Sequence, residues 1–219
     1  MPGSILGTRV VRKEDPRFMT TGGVYTDDLR DVEALAGAAT VVFVRSTVAH
    51  GTITSTETAD ARGMPGVVGV FTAADLELQP DAAPWNPMVA RTLLASDRVR
   101  YVGEPVVIVV AAGPAQAVDA AEAVYVEYDL LEAYIDADAA LAGSTLIYEG
   151  APGNVVVDSV AYGMPDISGD EFFAGCDVTV TSRLVNQRVA PCPLETRASA
   201  ATWIDGRLHQ WVSSQHAQR

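Results

Sequence analysis

The chain has 219 residues, 48% of them hydrophobic and 20% charged, with a formal net charge of -13. That length supports one large domain or two modest ones, burying about 70% of the unfolded surface, and the composition excludes wholesale disorder. The acidic balance and the scattering of the 15 basic residues argue against nucleic acid, which needs clustered Lys and Arg, and against an acidic membrane surface.

The first thirty residues are polar and turn-rich, punctuated by Pro16, Thr21-Gly22-Gly23 and Asp27-Asp28. Asp27 and Asp28 are expected to satisfy turn amides. Val41 to Arg45 and Gly51 to Thr54 read as strands joined around His50. His50 is expected to be a hydrogen-bonding turn residue rather than a base. Ala59 to Met64 suits one helical turn, stopped by Pro65-Gly66. Val67 to Phe71 follows as a buried strand, and Thr72 with Asp75 has capping-box spacing. Glu77 to Arg91 is expected to be a loop, because Pro80, Pro84 and Pro87 oppose regular structure.

Val106 to Ala112 is rich in Val and Ile, as a strand covered on both faces should be. It is also the longest purely apolar run, and it is far too short to cross a bilayer. Arg9, Arg12 and Lys13 precede no apolar signal segment, so a cytoplasmic soluble protein is expected. Pro114 suits the first position of an alanine-rich helix, Ala115 to Ala123. Val124 to Tyr128 alternates as another strand, and strand–helix–strand implies a right-handed crossover if the two strands are parallel. Glu104 sits just before the buried strand and is expected to stay solvated or to pair with an arginine such as Arg100.

Composition shifts again near Gly150 to Gly153. Asp170 to Gly175 predicts a brief helix, and Val178 to Val189 and Thr196 to Ile204 predict strands. Asp205-Gly206 is the strongest hairpin turn signal, with Arg207 to Ser213 returning so that Trp203 lies near Leu208 and His209 faces Thr202. A two-stranded ribbon this apolar needs further strands or a covering layer. The whole reads as α+β, with a first domain expected near 20–140 and a second, unfinished one from about 150.

Motifs for independent chemistry are lacking. There is no phosphate loop, dinucleotide fingerprint, nucleophile elbow or zinc helix motif. His50, His209 and His216 lie far apart in sequence. Cys176 and Cys192 belong to no metal-ligand pattern and are expected to be partly buried, reduced thiols. Two cysteines are too few for an iron–sulfur cluster.

Several segments carry a resemblance. Arg12-Lys13-Glu14-Asp15-Pro16-Arg17-Phe18 with Gly23-Val24-Tyr25-Thr26-Asp27-Asp28-Leu29 is one. Phe43-Val44-Arg45-Ser46 with Ala49-His50, and Met64 to Thr72 with Asp75-Leu76, are others. Tyr101 to Val106, and Asn186 to Pro191 with Leu194-Glu195-Thr196-Arg197, complete the series. In that order they resemble the large, molybdopterin-binding subunit of the molybdenum hydroxylases, the group of xanthine dehydrogenase, aldehyde oxidase and carbon monoxide dehydrogenase. Thr47-Val48 departs from the Pro-His usual before Ala-His in that group, and Cys192 stands where Asn or another small residue is common.

The resemblance implies an N-terminal extension (1–19), an α/β hammerhead domain (20–140) and the incomplete start of a molybdopterin-binding α+β domain (150–219). It implies a molybdenum–molybdopterin cofactor, in dinucleotide form, in the complete enzyme and none on this chain alone. Its partners would be the remainder of the large subunit, an iron–sulfur small subunit and an FAD medium subunit. Ser213-Ser214-Gln215 resembles the family's Ser-Thr-Gln segment, whose glutamine lies beside an oxygen ligand of molybdenum. Gln215 is therefore the one candidate cofactor-binding residue; no catalytic or metal-ligating residue is assigned. The pterin-binding loops and the catalytic glutamate are expected in sequence beyond Arg219, and Glu104 is not that glutamate. The alternative is a non-catalytic interaction or scaffold module of the same descent.

Overall fold

The computed structural model describes residues 7, 11–29, 31–77, 79–83, 86–158, 160, 163–167 and 170–214. The chain divides into two compact units. One is Ala39–Arg183; the other joins Met1–Ala38 with Leu184–Arg219.

The unit Ala39–Arg183 is built on two three-stranded antiparallel sheets. The first has strand order β1 (Thr40–Arg45), β7 (Pro105–Ala111), β3 (Val67–Thr72), and the second β6 (Arg98–Val99), β2 (Gly51–Glu57), β8 (Tyr125–Leu130). As expected from its unbroken apolar run, β7 is central and covered on both faces. Val106 and Val107, which point oppositely, are both buried, as is Val109. In register, Val109 is flanked by Val42 and Val70, and Ile108 by Phe43 and Phe71. The core combines Val70, Val107 and Val109 of this sheet with Val99 of the other, and Ile53, Val126 and Tyr128 pack around it.

Short helices close the unit. Helix α2 (Ala59–Gly63) buries Ala61 and stops before Pro65-Gly66. Gly66 holds φ +82°, and a Cβ there would meet the Gln116 side chain at 2.9 Å, so both backbone and space require glycine. Helix α3 (Pro114–Glu122) starts on its proline and buries Ala117 and Ala120, three residues apart on one face. Those methyls let it lie against β1, β7 and α2. Helix α4 (Ala137–Ala142) is capped by the Asp136 carboxylate, which accepts the Ala139 N–H at 2.9 Å. The capping box at Thr72 and Asp75 forms as its spacing predicts.

Two expectations are overturned in this unit, and the condition set for a crossover is not met. Strands β7 and β8 flank α3 but enter different sheets, and every strand pairing among the described residues is antiparallel. The reason lies in β8, whose Val126 and Tyr128 turn inward while Tyr125, Glu127 and Asp129 are exposed. Such a strand needs a solvated face and cannot occupy a sheet covered on both sides. The loop expected over 77–91 contains a hairpin, β4 (Asp81–Ala83) with β5 (Asn86–Arg91). Pro87 is tolerated because the pairing jumps from Asn86 to Ala90, and the missing N–H falls in the skipped stretch. Cys176 is exposed rather than partly buried, just past the one-turn helix Asp170–Phe173.

In the second unit, Arg12 and Asp15 pair at the start of α1 (Asp15–Thr20), a helix the turn-rich composition concealed. Two 3-10 turns follow, Thr26–Asp28 and Glu33–Leu35. The hairpin β9 (Ser199–Ile204) and β10 (Arg207–Val212) has the predicted register, Leu208 opposite Trp203 and His209 opposite Thr202. Asp205 (φ 50°) and Gly206 (φ 76°) make its two-residue turn, which needs positive φ at both positions. Both 3-10 turns lie against β9 and half-cover Ala200, Thr202 and Ile204. The opposite face is open, with Trp203 70% and Leu208 56% exposed.

The strand expected over Val178 to Val189 is not formed. Residues 178–193 carry no regular structure, and Val180, Leu184 and Val189 are each more than four-fifths exposed. Alternating apolar residues make a strand only against a partner, and none is present among the described residues. Cys192, in the same stretch, is exposed instead of partly buried.

Candidate functional site

Gln215 and His216 lie outside the described residues, but the segment leading to Gln215 is held in detail. At the end of β10, the Ser213 N–H donates to the Ala198 carbonyl at 3.3 Å, and the Ala198 N–H donates to Ser213 Oγ at 3.2 Å. The Ser213 hydroxyl is also 3.4 Å from the Thr196 carbonyl oxygen. One residue before Thr196, the Glu195 carboxylate accepts the Thr26 N–H at 3.1 Å and its hydroxyl at 3.3 Å. The two resembling segments around Thr26 and Glu195 are thus joined through side chains 169 positions apart.

The other polar cluster is in the unit Ala39–Arg183. Glu104 is buried, so of the two expectations the solvated one fails, while the pairing with Arg100 is met through the Arg100 main chain and not its guanidinium. Its carboxylate accepts the main-chain N–H of Arg100 at 2.5 Å, because a tight turn returns the Glu104 N–H to Tyr101 and brings the side chain back over Arg100. The Arg100 guanidinium is engaged elsewhere: it donates to the carbonyls of Ile147 and Arg98 at 3.1 Å and lies 4.9 Å from the Tyr148 ring centre. Burial pushes the Glu104 carboxyl above the ordinary glutamate range, opposed by the Arg100 N–H and charge. Burial also raises the Tyr148 hydroxyl.

His50 is fully buried, its Nδ1 2.7 Å from the Glu132 carbonyl oxygen, which bears out a hydrogen-bonding turn residue. Its Nε2 is buried without a hydrogen-bond partner. His209 is exposed on β10.

None of these groups makes a cradle for the molybdenum–pterin group that the resemblance implies. Among the described residues no three His, Cys, Asp or Glu converge as metal ligands. A cavity of about 160 Å³ is lined by Leu76, Leu93 and Leu94 with Thr92 and Ser96. An open cleft of about 440 Å³ carries Glu127 and Asp129, whose charge would repel a phosphorylated pterin. The described residues do not fit the group, and no chemical step follows from them alone. No helix among them is long and apolar enough to cross a membrane.

Comparisons with known proteins agree with the sequence. Residues 20–132 match the family model for the aldehyde oxidase and xanthine dehydrogenase a/b hammerhead domain, and residues 147–219 match that for the molybdopterin cofactor-binding domain. The nicotine 6-hydroxylase large subunit of Paenarthrobacter nicotinovorans is 38% identical, over 97% of this chain and 26% of its own length. The carbon monoxide dehydrogenase large chain of Hydrogenophaga pseudoflava is 34% identical, over 94% of this chain and 27% of its own. Quinoline 2-oxidoreductase from Pseudomonas putida 86 superposes with a TM-score of 0.78 at 33% identity, covering 95% of this chain and 27% of that one. The chain therefore spans about a quarter of the length of these relatives. It belongs to the molybdenum hydroxylase large subunits, the family of aldehyde oxidase and xanthine dehydrogenase.

Proposed function

We propose that this chain forms the hammerhead platform and the first layer of the molybdopterin-binding domain in a molybdenum hydroxylase large subunit. The observation that carries the reading is the open face of the β9–β10 hairpin. Trp203, Leu208 and Val212 are roughly half exposed or more there, and the apolar stretch that precedes it is unpaired. An apolar face of this kind is stable only when covered, and about three quarters of the relatives' length is available to cover it. In this reading the remaining large-subunit sequence supplies the pterin-binding loops and a base. Gln215 is the one contact from this stretch to the metal centre, its uncharged amide donating a hydrogen bond. The cofactor is the dinucleotide form, and electrons leave through iron–sulfur and FAD subunits. We place the assembly in the cytoplasm, in keeping with two free thiols.

The test is metal and pterin analysis of a complete large subunit carrying this sequence, with and without Gln215→Ala. About one molybdenum and one pterin per subunit is expected. The variant should keep both while losing about a hundredfold in turnover, as for one lost donor at a reacting centre. Absence of both cofactor components from a folded complete subunit would contradict the reading.

A further inference from the structure

Strand β8 stands at an edge of its sheet. On one side it pairs with β2, and on the other no strand pairs with it among the described residues. Just past its end, the Leu131 N–H donates to the His50 carbonyl at 3.0 Å. Main-chain groups alternate in direction along an antiparallel strand, so those of Tyr125, Glu127 and Asp129 also face β2. The N–H and C=O groups of Val126, Tyr128 and Leu130 therefore face outward, along a strand about 20 Å long. The open cleft of about 440 Å³ follows this edge. Its walls include Val126 and Tyr128, which turn inward, and Glu127 and Asp129, which turn to solvent. A cleft lined by both faces of one strand runs along its rim and not over either face.

The two ends of the edge are apolar and open: Tyr125 is 60% and Leu130 72% exposed. An edge that is merely blunted against pairing carries charges, prolines or a bulge of its own in place of such residues. Charge then limits what can lie there. Two copies paired antiparallel about Tyr128, or about Glu127, would set acid against acid, which opposes pairing. The formal net charge of -13 adds to that repulsion. A strand that completes the edge must instead bring Lys or Arg beside Glu127 and Asp129. Its alternate residues, beside Val126 and Tyr128, must be apolar.

We propose that the outer edge of β8 is a docking site for a companion subunit, which adds an extended strand of Lys or Arg alternating with apolar residues. Hydrogen bonds to the main chain at Val126, Tyr128 and Leu130 hold the added strand, and the acidic pair selects its sequence. The inference rests on the multisubunit assembly proposed above. It gives the hammerhead unit a partner of its own, separate from the hairpin face at which the rest of the large subunit is expected.

The experiment uses the complete large subunit, alone and co-expressed with the iron–sulfur and FAD subunits, as wild type, Glu127→Lys/Asp129→Lys and Leu130→Pro. All three positions are exposed, and Leu130→Pro removes an outward N–H without taking a bond from β2. Two properties are read: which subunits co-purify, and amide hydrogen exchange along the strands. In the assembled wild type, exchange over 125–130 should be at least about tenfold slower than in the large subunit alone, with β3 unchanged. Each variant should lose one companion subunit, or hold it about a hundredfold more weakly, as for unpaired charges at an interface. Exchange over β7 should stay as in the wild type, which shows an intact core. A wild type that assembles with β8 unprotected, or variants that assemble fully, would overturn the docking site and leave the multisubunit reading standing. Protection of β8 already present in the large subunit alone would overturn it too, because the rest of that subunit would then cover the edge. A wild type that binds no companion subunit would defeat the multisubunit reading and the inference together.

Discussion

Two carboxylates in the unit Ala39–Arg183 are displaced in opposite directions, and each displacement has a visible cause. Burial dominates at Glu104, so its proton is held more tightly in the folded state. Its contribution to stability is present at low pH and fades as pH rises through the folded-state value. Asp75 is exposed, and the Thr72 N–H and hydroxyl lower its carboxyl, so its contribution is present at neutral pH and lost as pH falls. Denaturant titrations over roughly pH 2 to 7 should therefore diverge from the wild type with opposite slopes, for Asp75→Asn below about pH 4 and for Glu104→Gln above about pH 4.5. Slopes of the same sign would contradict the assignment. His50 is set by packing: its Nδ1 ties the end of β8 to the β1–β2 connection through the Glu132 carbonyl. His50→Ala should cost about 2–3 kcal/mol in urea unfolding, from the cavity and the unpaired carbonyl.

At the scale of elements, the pattern of success and failure follows what each signal depends on. Strand β7 is legible because both its faces are apolar, and the β9–β10 hairpin because Asp205-Gly206 permits one turn geometry. Both signals are local. Sheet membership is not: the α3 connection between β7 and β8 looks like a crossover until β2 claims β8 by register. The Glu195–Thr26 tie is equally invisible, since nothing in either segment announces a partner 169 positions away. The proposed site residue, Gln215, is named only through likeness to a family, because a single amide leaves no spacing rule of its own. The packing of α3 offers a direct check. Ala120 is fully buried against the core, whereas Val118 on the same helix is 45% exposed. Ala120→Leu should lower stability by about 1–3 kcal/mol through overpacking, and Val118→Leu by less than about 0.5 kcal/mol. Equal effects would mean that α3 does not present that face to the sheet.

For the whole molecule, the contrast between the two units is the informative feature. Ala39–Arg183 has a two-sided core, whereas the other unit rests on a single hairpin covered on one face by the N-terminal turns. The exposed apolar residues from Val178 to Leu208 gather in the part that matches the molybdopterin cofactor-binding domain. Such surface gains most from a covering chain, and the family's large subunits are about four times as long as this stretch. The most direct measurement is sedimentation of this chain with a polypeptide supplying the remainder of the large subunit. A one-to-one complex is predicted, abolished by Trp203→Glu and unaffected by Tyr125→Glu on the hammerhead surface. A chain that sediments alone in the presence of that polypeptide, or a complex indifferent to Trp203→Glu, would contradict the account.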